Sequence, residues 1–89
     1  MLKKMLEAAV AQGFTLQAVY EGETDYIGGS VDECLEALEA CDEMNLYILL
    51  DDYEHAQTVE GWALIIPDLD DEEKVADCTG WVDRYMDTL

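Results

Sequence analysis

The chain has 89 residues, of which 22 are Asp or Glu and only four Lys or Arg, so its formal net charge is −18 even though 51% of its residues are hydrophobic. A chain this short holds one core, so a single domain over 1–89 is predicted; its apolar share, with two Trp, five Tyr and one Pro, excludes the disordered acidic tail that charge alone would suggest. The charge also excludes direct binding to nucleic acid, whose phosphates it repels, and no run approaches 18 consecutive apolar residues, so no membrane span is predicted.

Residues 2–12, LKKMLEAAVAQ, are strong helix formers with Leu2, Met5, Leu6 and Val10 near one face, and Gly13 stands where a C-terminal cap belongs. Residues 15–20, TLQAVY, alternate as a half-buried strand. Glu21-Gly22-Glu23 turns the chain toward a possible short strand at 24–27, which Gly28-Gly29 ends. Ser30 and Glu33 form a capping-box pattern ahead of VDECLEALEACDE (31–43), a helix with Val31, Cys34, Leu35, Leu38 and Cys41 as its core stripe. MNLYILL (44–50) is apolar on both faces and predicts a central strand; GWALIIP (61–67) predicts its antiparallel neighbour, across a long loop. Beyond the acids of 68–73, Val75, Cys78, Val82, Tyr85 and Leu89 recur at helical spacing, predicting a last helix with acids at its positive end and a possible kink at Gly80. The predicted class is α+β, in the order α-β-α-β-β-α, with a small three- or four-stranded mixed sheet packed with helices. The central helix would be a crossover if the first two strands are parallel neighbours.

The start of the chain shows no sustained apolar segment followed by a cleavage site, so a cytoplasmic protein is expected. Cys34, Cys41 and Cys78 are odd in number and make no C-x-x-C pair, and they read as free thiols in a reducing compartment. Asp68, Asp70 and Glu72 alternate like a calcium loop, but Glu73 and Thr79 stand where such a loop needs Gly and a bidentate Glu. His55, the single histidine, has no zinc-type partners at suitable spacing. No metal, no cofactor and no catalytic residue is predicted: there is no nucleophile motif, no phosphate-cradling glycine loop and no Cys beside a candidate His.

What remains is the charge. Residues 1–20 hold Lys3, Lys4 and one acid, Glu7, whereas residues 21–89 hold 21 acids against Lys74 and Arg84. In the central helix Asp32, Glu36, Glu39 and Glu43 fall at steps of four, three and four, a ladder of carboxylates opposite the apolar stripe with no Lys or Arg in 30–43 to offset it. Three further clusters stand at Glu21, Glu23 and Asp25, at Asp51, Asp52 and Glu54, and around Asp70 and Asp71. So dense a field opposes the compact state, and it selects a basic macromolecular partner, with Tyr47 and Tyr53 as candidate anchors. A solvated acidic surface serving solubility, and halophilic adaptation, are the other readings. Self-association is open: acidic faces oppose it, while Leu2, Met5 and Leu6 at one end and Tyr85, Met86 and Leu89 at the other are candidate apolar patches, so both monomer and homodimer are admitted.

Small size, extreme acidity, a compact α+β order and the ladder Asp32, Glu36, Glu39, Glu43 together resemble the DNA-mimic inhibitors of phages and mobile elements, anti-CRISPR and anti-restriction proteins in particular. The resemblance is one of charge character over residues 21–89, without a shared motif. It implies a cytoplasmic, non-enzymatic protein of the infected bacterial cell, which evades host defence by binding the basic DNA-recognition surface of a CRISPR effector or restriction enzyme. The alternatives are an antitoxin or immunity protein that neutralises a basic nuclease, and an acidic protein-interaction accessory.

Overall fold

The computed structural model describes residues 2–50, 58–68 and 74–88. Helix α1 runs Leu2–Ala11 and ends as its sequence asks: Gly13 (φ 89°) donates its N–H to Val10 O, and Phe14 donates to Ala9 O, the paired bonds of a Schellman cap. Strand β1 (Thr15–Tyr20) turns back through Glu21 and Gly22, both at positive φ, into β2 (Glu23–Gly28). Ser30 then caps α2 (Val31–Glu39): its Oγ accepts the Glu33 N–H at 3.3 Å. The other half of the expected capping box comes from elsewhere, since the Ser30 N–H donates to Tyr26 Oη at 2.7 Å. Strands β3 (Met44–Leu50), β4 (Thr58–Ile65) and β5 (Val75–Gly80) follow, and the short helix α3 (Trp81–Met86) ends the described chain.

The class is α+β, but the sheet has five strands in the order β2-β1-β3-β4-β5, and every neighbouring pair is antiparallel. The order is therefore α-β-β-α-β-β-β-α. Two expectations are corrected. First, β2 forms a full strand, so the chain has already reversed when it enters α2, and β3 meets β1 antiparallel; no parallel crossover joins β1 to β3. Second, 75–80 is a strand and not the first part of the last helix. Its backbone satisfies the open edge of β4, with Ala63 opposite Cys78 and Gly61 opposite Gly80, and tertiary pairing overrides a helical spacing that six residues only weakly define. Gly80 ends that strand instead of kinking a helix. At φ 62° it lies in the left-handed region, and a Cβ there would meet Glu60 O and lie 3.0 Å from Gly61 Cα.

All three helices cover one face of the sheet. Leu16, Ala18, Met44, Leu46, Ile48, Ala63 and Ile65 point inward and form one core with Leu2, Met5, Leu6 and Ala9 of α1, Cys34 and Leu38 of α2, and Trp81 and Val82 of α3. Leu2, Met5 and Leu6 are thus core residues and offer no association patch; Tyr85 and Met86 pack against the same core, and Leu89 lies outside the described residues. No polar side chain is buried among the described residues. No described helix is long and apolar enough to cross a membrane.

Candidate functional site

The predicted ladder is shorter than its spacing suggests. Helix α2 ends at Glu39, with Ala40 as its C-cap donating to Ala37 O, because the chain must turn within 40–43 to enter β3. Asp32, Glu36 and Glu39 are exposed on the helix and span about 10 Å of its axis, but Glu43 lies in the connection beyond it. At the N-terminal end, the ladder is not wholly uncompensated: Lys3 Nζ of α1 stands 4.0 Å from Asp32 Oδ1, both largely exposed, a contact that solvent screens strongly.

The loss of Glu43 from the helix brings it to a different group of acids. Register places the β1–β2 turn, the start of β3, the end of β4 and the start of β5 at one end of the sheet: Tyr20 pairs with Glu23, Val19 with Asn45, Met44 with Ile65, and Ile65 with Val75. Glu21, Glu23, Asp25, Asp42, Glu43 and Asp68 are all exposed there, with Glu39 leading into them from α2. Lys74 lies at the same end, its carbonyl accepting the Ile66 N–H. Strand ends recur at about 4.8 Å across a sheet, so register gathers these acids at one end of it.

At the centre of this row an open cleft of about 410 Å³ is lined by Tyr20, Glu21, Asp42, Glu43 and Asn45. Tyr20 records the local field. Its hydroxyl pKa is raised above 10.0, first by the Glu21 charge, then by Cys41, by partial burial, and by Asp42 and Asp25. The phenol stays neutral and keeps its proton. Three carboxylates and an aromatic ring among its lining residues suit a guanidinium or ammonium group, which carboxylates pair and a ring face attracts.

Glu21 also occupies an awkward place. It is the first central residue of a two-residue hairpin turn, at φ 51° beside Gly22 at 83°, where Asn, Asp or Gly fit best. A long acidic side chain there serves the charge row at the expense of the turn.

Of the other predicted site residues, Asp51, Asp52, Glu54, Asp70 and Asp71 lie outside the described residues, as do Tyr53 and His55. Tyr47 is half-buried in β3. Reasoning from sequence missed Asp42 and Tyr20. Asp42 sits next to Glu43, where an earlier helix end would have been the signal; Tyr20 becomes a site residue only through the β1–β3 pairing. Among the described residues no group of three or more His, Cys, Asp or Glu side chains is arranged to hold a metal ion.

A second cleft, of about 530 Å³, lies between the end of α1 and α3 and differs in kind. Trp81 is only 7% exposed, meets Phe14 edge-on at 5.7 Å, stacks on Tyr85 at 5.3 Å and donates its Nε1–H to Gln12 Oε1 at 3.2 Å. These contacts dock α3 against the α1–β1 corner, with Arg84 at the margin. This cleft has no acidic lining residue and reads as packing.

No protein-family model, no curated protein and no solved structure matches this chain.

Proposed function

We propose that this protein is a non-enzymatic DNA mimic of the anti-CRISPR kind, which places its acidic row in the basic DNA-recognition surface of a host defence complex and so blocks target binding. The observation that carries the reading is the Tyr20–Glu21–Asp42–Glu43 cleft within a longer row of carboxylates, placed by sheet register on two separate connections. An arginine or lysine that normally holds a phosphate enters the cleft, and Glu39, Glu23 and Asp25 meet its neighbours. Asp32 and Glu36 extend the acidic surface along α2. The −18 charge steers the approach, so association is fast at low salt and falls steeply as salt rises.

The test is capture of CRISPR effectors or restriction enzymes from bacterial lysates at low and high salt, followed by a DNA shift assay on the captured complex. Salt-sensitive capture with stoichiometric loss of target-DNA binding supports the reading. Capture of a small basic nuclease, inactivated in the complex, replaces it with the immunity-protein reading. A captured complex that still binds its DNA refutes mimicry.

A further inference from the structure

Strand β2 ends the sheet: it pairs with β1 on one side, and among the described residues no turn or loop backbone bond reaches 23–28 from elsewhere. Antiparallel pairing uses alternate residues, so about half of its N–H and C=O groups point away from β1. Neither connection outside the described residues is long enough to lie along that edge. Residues 51–57 join Leu50 of β3 to Thr58 of β4, a path of about 29 Å at full extension, whereas running beyond β2 and back crosses strand spacings that sum to about 34 Å. Residues 69–73 join the ends of β4 and β5 over about 22 Å at most, and the same excursion from there needs about 43 Å. The opposite edge differs: on β5, Asp77 Oδ1 accepts the Cys78 N–H at 2.9 Å, and residues 69–73 lead directly into that strand. Exposed edges are ordinarily blunted by Lys, Pro or bulges. Strand β2 has neither Lys nor Pro, and its one irregularity is the bulge at Asp25.

The side chains of β2 select what can lie beside it. Tyr26 packs against the core, but Ile27, paired with Gln17 and on the other face of the sheet, is 47% exposed. Glu23 and Asp25 are exposed on the same strand, and residues 5–73 contain no Lys or Arg. A second copy, pairing β2 with β2 about a two-fold axis, brings the two Asp25 residues together with no cation between them, on chains of −18 each. We infer that the outer edge of β2 takes an extended segment of a basic partner protein as an added strand of the sheet, with Lys or Arg beside Glu23 and Asp25 and an apolar side chain beside Ile27. Main-chain bonds supply the affinity, and the alternation of charged and apolar neighbours chooses the segment. The inference shares with the proposed function only the preference for a basic partner; it needs neither DNA mimicry nor the Tyr20 cleft.

Titration of the isotope-labelled full chain at low salt with an acetylated, amidated hexapeptide of alternating Lys and Val, followed by NMR and amide hydrogen exchange, tests it. The expected result is a set of shifts concentrated at 23–28, Ile27 included, with new protection of amides in that strand that exchange freely in the unbound chain. The fully N-methylated form of the peptide, which keeps the charge and loses every backbone donor, is expected to bind at least about tenfold more weakly. The parent peptide is expected to lose at least as much, about tenfold or more, against the variant Glu23→Lys/Asp25→Lys, whose circular dichroism matches the parent chain. Equal binding by the N-methylated peptide, shifts confined to Tyr20, Asp42 and Glu43, no binding of the parent peptide, or strand amides already protected in the free chain would each overturn the inference. The first two of these leave the cleft's attraction for cations standing, so failure of this inference and failure of the proposed function are told apart.

Discussion

The helix-covered core and the acidic end of the sheet obey opposite rules. In the core, propensity, periodicity, capping and burial agree: Leu46, Ile48, Leu38 and Met5 are fully buried, and among the described residues no polar side chain joins them. At the acidic end they conflict. Glu21 sits at a positive φ, and its charge, followed by those of Asp42 and Asp25, raises the pKa of the Tyr20 hydroxyl. Residues that work against folding yet occur together in space are where selection for something other than stability shows itself.

Truncating the core has the largest expected effect on that comparison. Leu46→Ala is expected to cost about 2–5 kcal/mol in urea unfolding, a large part of what so small a domain has, because the fully buried site sits on the central strand between Ala18 and Ala63, whose paired backbones keep it from collapsing. Alkali comes next. Burial pushes the Cys34 thiol from 9.0 up to about 12, so the folded state holds a proton that the unfolded chain releases earlier. Stability from this group is full below pH 9.0 and is lost as pH rises toward about 12. Thermal melts over that range are expected to fall steadily, and less steeply in Cys34→Ala; Tyr20 and Cys78, also raised, leave the residual slope.

Gly80→Ala follows, with an expected loss of about 1–3 kcal/mol, since the new Cβ is forced into the left-handed region against Glu60 O. At the acidic end the sign reverses. Glu21→Asn is expected to stabilise the fold by about 1 kcal/mol at low salt, through relief of the turn. A destabilised Glu21→Asn protein would mean that the charge row supports the fold, and the contrast between the two regions would fail.

Much of the core was legible in the sequence. The stripes of α1 and α2, the cap at Gly13, the start of α2 at Ser30 and the strand 44–50 all follow from local pattern, because each stripe buries where its period points. Strand β5 was not legible, as Val75, Cys78, Val82 and Tyr85 fit a helix until the open edge of β4 is known. The acidic end was half legible. The composition of Glu21, Glu23 and Asp25 is visible in the chain, but their meeting with Asp42 and Glu43 depends on β1 pairing with β3, and no local signal encodes that. The four-residue ladder looks like the site only if α2 runs one turn further than it does; without that turn, Glu43 joins the sheet end instead.

The most direct test sets the two acidic surfaces against each other. In a DNA shift assay on the captured defence complex, Glu21→Lys/Asp42→Lys/Glu43→Lys is compared with Glu36→Lys/Glu39→Lys, once both are shown to be folded. The account predicts that the sheet-end variant loses inhibition by at least about a hundredfold, with the helix variant weakened less, since three charges around one cleft are reversed in the first and two open rungs in the second. Full inhibition by the sheet-end variant would contradict the account and remove the cleft from the interface.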